Sequence, residues 1–117
     1  MQGNKKNIIV DMSFQFSLGI IEFCEELEEK RKFIIAKQLF RSGTSIGANI
    51  REAQNAESKA DFIHKMKISA KEADETIYWL ELCKFAKNYP TNEELISKIN
   101  DLQMVLSKII GTAKRNK

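Results

Sequence analysis

The stretch Gln38–Ala53, QLFRSGTSIGANIREA, decides the fold. It packs six small residues, Ser42, Gly43, Thr44, Ser45, Gly47 and Ala48, into seven positions. Through it runs a row of polar side chains, Gln38, Arg41, Ser45, Asn49 and Glu52, at spacings of 3, 4, 4 and 3. On a helix that row is one stripe. The competing reading is a loop at Ser42–Gly47 between two short helices. Against it, Ile35, Leu39, Ile46, Ile50 and Ala53 hold helical phase through the segment, and no Pro interrupts it. GTSIG is not a phosphate loop, because it lacks the Gly-Lys-Ser/Thr ending and no strand precedes it. A helix this thin is expected to be pressed closely by a neighbour, with its polar stripe answered by polar or charged partners.

Helical periodicity continues on both sides. Residues 1–6 are polar and read as a frayed end. From Ile8, the apolar positions Ile9, Met12, Phe16, Ile20, Phe23 and Leu27 recur at spacings of 3 or 4, and Phe14 widens the stripe. This predicts a first helix over residues 8–29, closed by the charge run EELEEKRK. The second helix is expected over 33–56 and a third over 58–87. In the third, Phe62, Met66, Ser69, Ala73, Thr76, Leu80 and Cys83 alternate spacings of 4 and 3, the seam of left-handed helix packing. Ile63, Ala70 and Ile77 form a second stripe beside it. Ser58 and Asp61 resemble a capping box, and Asn88-Tyr89-Pro90 stops the helix. Thr91 and Glu94 read as the capping box of a last helix over 91–114, with Leu95, Ile99, Leu102, Leu106, Ile109 and Ala113 as its seam. Four helices, short connections and no strand predict an all-α fold, an antiparallel up-down-up-down four-helix bundle. Leu80 and Ile99 are expected deep in its core.

Bulk numbers agree. A chain of 117 residues is one domain, 1–117, and 43% hydrophobic content suits one core. One Pro and five Gly argue against an all-β chain. No apolar run approaches the ~18 residues of a membrane span, and the N-terminus lacks the apolar core of a signal peptide. The expectation is a soluble, cytoplasmic protein in which Cys24 and Cys83 are reduced and buried. The net charge is +3. Residues 1–58 carry eight basic and eight acidic side chains, and residues 59–117 carry eleven against eight, so the whole excess lies in the second half.

Catalytic constellations are scarce. A di-iron bundle needs two Glu-x-x-His pairs, and this chain has one His. Asp61 and His64 stand three apart with no second half, and a zinc site from Cys24, Cys83 and His64 would need three distant positions to converge. No catalytic residue, cofactor or metal is expected, and no enzyme. KEADE, Lys71–Glu75, looks like a carboxylate cluster. If the second and third helices pair antiparallel with a turn near Glu57, however, Arg41 lies level with residue 73, and Glu72 or Glu75 is its expected partner. Glu52 then lies level with Phe62 and Lys65. Trp79 reads as core first, as a subunit interface second and as a stacking platform for bases third. Basic side chains recur at Lys59, Lys65, Lys67 and Lys71 and at Lys114, Arg115 and Lys117. They read as a solvated face or, summed over several identical subunits, as nucleic-acid contacts.

These residues are familiar. QLFRSGTSIGANIREA, with ESKADFIHKMKISAKEADETIYWLEL after it and SFQFSLGIIEF before it, resembles the bacterial four-helix-bundle family first noticed as reading frames within intervening sequences of 23S ribosomal RNA genes. The resemblance runs from Ile8 to about Phe85, and the last helix matches in pattern only. Members are similar to the accessory variability determinant protein of diversity-generating retroelements, a basic pentameric barrel that binds a reverse transcriptase and nucleic acid. The resemblance implies a four-helix bundle and a homo-oligomer, with a pentamer favoured. It also implies RNA, DNA or a nucleic-acid-processing protein as partner, although +3 is mild for that role. It supplies no catalytic residues and no membrane partner. Two functions stand side by side: a nucleic-acid- or ribonucleoprotein-associated adaptor, and a protein-only scaffold. Oligomerisation is expected from the residues as well. The small residues of the second helix permit close approach, and the first and third helices carry more apolar surface than one bundle hides.

Overall fold

One unbroken α-helix covers Phe33–Ala53, including Ser42–Gly47. The computed structural model describes residues 7–116. They form α1 (Ile8–Glu29), α2 (Phe33–Ala53), α3 (Lys59–Phe85) and α4 (Glu93–Arg115), with no strand among the described residues. The frayed end expected at residues 1–6 lies outside them, as does Lys117.

Local chemistry sets the boundaries. Asn7 caps α1 by accepting from the Val10 amide at 3.4 Å. Three residues turn the chain into α2, with Arg31 in the left-handed region at φ 64°. Helix α2 ends at Ala53, short of the expected residue 56. Gln54, Asn55 and Ala56 instead donate to the carbonyls of Arg51, Glu52 and Ala53, a tightening of the last turn into i→i+3 bonds. Ser58 caps α3 by accepting from Asp61 N–H at 3.0 Å, while the Asp61 carboxylate accepts from Glu57 N–H. Helix α3 ends at Phe85 instead of residue 87, because Ala86 is already extended, and Asn88 turns left-handed at φ 65° before Pro90. The cap of α4 is Asn92, which accepts from Leu95 N–H at 2.9 Å; Thr91 does not cap it. Starting at Glu93 puts Glu93 and Glu94 together in the first turn, where the helix dipole favours both carboxylates.

The helices pack in a cycle: α1 on α2, α2 on α3, α3 on α4, and α4 back on α1. The molecule measures 49 × 26 × 20 Å. The predicted seams form the core: Phe16, Ile20, Phe23 and Leu27 of α1, Leu39, Ile46 and Ile50 of α2, Met66 and Leu80 of α3, and Ile99, Leu102 and Leu106 of α4. Leu80 is 1% and Ile99 0% exposed. The second stripe of α3, Ile63, Ala70 and Ile77, is half-buried.

Candidate functional site

The small residues of α2 fit two neighbours at once. A methyl group on Gly43 would stand 2.8–3.0 Å from three side-chain atoms of Ile20, and one on Gly47 would stand 3.3 Å from the Ser13 carbonyl oxygen. Ser13 and Ser17 are small in turn, and each hydroxyl folds onto its own helix, donating to the Val10 and Ser13 carbonyls. At Gly47, α1 and α2 therefore touch small residue to small residue, while Gly43 makes room for Ile20. Toward α3, the Thr76 and Ser42 hydroxyls share a hydrogen bond at 2.9 Å, and Ser69 Oγ donates to the Ile46 carbonyl at 2.9 Å. All three hydroxyl residues are buried. Gly43 is thus buried inside the chain, while Gly47 is half-buried beside the exposed Ala48.

The polar stripe divides. Arg41 bonds both Glu72, at 3.2 Å, and Glu75. The Trp79 indole N–H also donates to Glu75, at 3.0 Å. Glu52 meets Lys65 at 3.2 Å. By contrast, Ser45 donates to the Arg41 carbonyl and Asn49 to the Ser45 carbonyl, so both serve their own helix. Gln38 is half-buried on the same stripe. The hydrogen bond from Arg41, followed by that from Trp79, holds Glu75 below the usual carboxylate range, and the Glu75 bond holds Arg41 above its ordinary value. Arg41 remains 48% exposed, so this is a surface clamp between helices.

The candidate nucleic-acid contacts fall into three places. Lys65 is tied to Glu52. Lys67 and Lys71 stand exposed one turn apart on α3. Lys59 is the first residue of α3, and Lys114 and Arg115 lie in the last turn of α4; between these two helix ends is an open groove lined by Phe62, Lys108, Ile109, Thr112 and Ala113. Sequence reading missed Lys108, which stands four residues before Thr112 and seven before Arg115 on one helical stripe.

Exposed apolar side chains form two further groups. Phe14, Leu18 and Ile21 follow one stripe of α1, with Phe14 beside Gly47, Ala48 and Arg51 of α2. Tyr78, Leu82 and Phe85 follow one stripe of α3, and Phe33, Ile34 and Phe40 stand out from α2. Ile34 is 85% and Phe85 78% exposed.

Metal and thiol chemistry finds no geometry among the described residues. No three His, Cys, Asp or Glu side chains gather to hold a metal ion. His64 is exposed near the start of α3, whereas Cys83 is buried near its end. Burial pushes the Cys24 and Cys83 thiols up to about 12 and about 11, so neither is a thiolate at neutral pH. No helix among the described residues is long and apolar enough to cross a membrane.

Fold and site together define a class: a four-helix protein whose buried polar groups hold helix to helix. Within that class, the chain belongs to the 23S rRNA-intervening sequence protein family, whose model matches residues 5–111. It is similar to a crystal structure of a protein with unknown function from the S23 ribosomal protein family of Bacteroides thetaiotaomicron VPI-5482. The two share 43% sequence identity over 87% of this chain and 97% of the other, with a TM-score of 0.81. No protein of curated function matches this chain.

Proposed function

We propose that this chain is a non-enzymatic, homo-oligomeric adaptor of the cytoplasm that associates with nucleic acid or a ribonucleoprotein. In this reading each subunit is an antiparallel up-down-up-down bundle. The paired contacts support it: as residue number rises along α2 from Arg41 through Ser42 and Ile46 to Glu52, the α3 partner falls from Glu75 and Thr76 through Ser69 to Lys65.

The single observation that carries oligomerisation is the pair of exposed apolar stripes. Phe14 lies beside Arg51, at the C-terminal end of α2. The Tyr78–Leu82–Phe85 stripe lies toward the α3 end level with the start of α2. Two different patches, one running out to Phe14 toward one end and the other to Phe85 toward the other, suit a head-to-tail contact, which closes into a ring when its rotation permits. The resemblance to the accessory protein of diversity-generating retroelements favours five subunits. A ring repeats every basic group around its axis, so a chain of charge +3 gains a summed field.

The protein-only scaffold stays as a second reading, favoured by the engagement of Lys65 with Glu52 and by the mild charge. Purification from native cells with and without nuclease separates the two. The adaptor reading expects RNA or DNA to co-purify and its partners to fall away after nuclease or at high salt. Partners retained in full after nuclease would establish the scaffold instead.

A further inference from the structure

Among the described residues, α1 does not reach the C-terminal end of α4. The α4 seam is buried through Leu106, yet Ile109 and Ala113, the next seam positions, are only half-buried. Register is the cause. Gly19 meets Leu95, and Met12 and Phe16 share a cleft with Lys98 and Leu102. At that register α1, which begins at Ile8, stops short of the last two turns of α4. Phe62, near the start of α3, reaches them and forms one wall. The result is an open groove of about 370 Å³, with Ile109 and Ala113 as its floor.

One edge of the groove carries Lys108, with Arg115 beyond it. Lys108, Thr112 and Arg115 follow one stripe beside that floor, and the Arg115 guanidinium reaches back to Thr112 Oγ1 at 3.4 Å. Lys59 is exposed one turn before Phe62. Asp61, next to Phe62 in the chain, is turned onto the Glu57 amide.

We propose that this groove takes an unpaired base of a single-stranded nucleic acid, with the flanking phosphates on Lys108 and Arg115. The inference rests on the nucleic-acid half of the function proposed above and gives it an address. Charge complementarity names the partner as an anion. The size of the floor narrows it further. Ile109 to Ala113 spans one helical turn, about 6 Å, enough for one base stacked on an aromatic wall. An acidic peptide helix would need anchors over two turns. A duplex keeps its base faces stacked and would meet only the rim.

The test is fluorescence anisotropy of the full chain with a labelled single strand of ~12 nucleotides, within the range a small binding surface covers, against the duplex of the same sequence over a salt series. The single strand should bind more tightly than the duplex. Lys108→Gln with Arg115→Gln, both exposed, should weaken binding at least tenfold and lower the salt slope by about 0.7 for each charge removed. Phe62→Leu keeps an apolar wall without the ring face. It should weaken binding about fivefold at unchanged salt slope, consistent with the lower end of stacking energies. Lys30→Gln with Lys37→Gln, at the other end of the molecule, should change binding less than twofold. If the Phe62 variant unfolds, the two charge variants decide alone. Binding by the wild type that survives Lys108→Gln with Arg115→Gln, or that falls only with Lys67→Gln and Lys71→Gln, overturns the groove and leaves the adaptor reading intact. Equal affinity for duplex overturns the base pocket. Retention of an acidic peptide without any single strand assigns the groove to a protein and overturns the proposal. No binding of either nucleic acid at ~0.15 M salt, where exposed charges are screened beyond ~8 Å, removes the adaptor reading with it.

Discussion

At the scale of single residues, glycine is used in two opposite ways. Gly43 lies against the fully buried Ile20, so Gly43→Ala forces that side chain off its place. The overpacking cost of ~1–3 kcal/mol outweighs the ~1 kcal/mol gained in helix propensity. Gly111 has only the end of Arg115 within reach, at 3.5 Å, so Gly111→Ala should stabilise by about 0.5–1 kcal/mol. Urea unfolding of both variants checks the pair; a Gly43→Ala variant as stable as the wild type or more so would refute the close approach of α1 and α2. The second residue-scale prediction concerns pH. Glu75 titrates below its unfolded value because of Arg41 and Trp79. Its contribution is therefore present above the ordinary carboxylate range, near pH 4.3, and fades as pH falls through its lower folded value. With the clamp half in water, that contribution is about 1 kcal/mol or less. The melting gap between wild type and Glu75→Gln should be constant from pH 6 to 8 and close below about pH 4. A gap that persists into stronger acid would mean that the carboxylate charge is not what matters.

At the scale of the helices, caps and seams give separable predictions. Asn92→Ala should cost about 1 kcal/mol, whereas Thr91→Ala should cost almost nothing, because only Asn92 satisfies a first-turn amide. Leu80→Ala and Ile99→Ala should each cost ~2–5 kcal/mol in chemical denaturation, since both are buried. Unchanged midpoints for both would reject this core. The seams were legible in the sequence because apolar residues recur at spacings of 3 or 4 within the helices, alternating in α3 and α4, and most of them are buried. The α4 cap was not, because Thr91 and Asn92 are adjacent and equally able. The choice fell to two glutamates seeking the same dipole. Arg41 with Glu72 and Glu75 was legible once an antiparallel register was assumed. Ser13 and Ser17 were not, because nothing local shows that a polar pair faces a glycine on another helix. Lys108 was missed because a lysine gains meaning only where a floor lies beside it. That floor exists because α1 starts too late to cover the end of α4.

At the scale of the whole molecule, the open question is what covers Phe14, Leu18 and Ile21 on α1 and Tyr78, Leu82 and Phe85 on α3. Single exposed apolar residues need no explanation, but two stripes of large exposed side chains on a chain of 117 residues are the kind of surface that marks an interaction site. The proposed ring covers both in one repeated contact. It predicts that Phe14→Glu and Phe85→Glu, at exposed positions, leave the helical content and the fold intact yet break the assembly. It also predicts that the two variants fail in the same way, because each removes one half of the same interface. The measurement that tests this claim most directly is the mass in solution of the wild-type chain, by light scattering at micromolar concentration in ~0.15 M salt, where exposed charge pairs are largely screened. The account predicts a fixed multiple of the 13.5 kDa subunit, with five favoured, reduced to one subunit in either variant. A wild-type mass of 13.5 kDa would contradict it, and would leave the exposed stripes to a partner other than this chain.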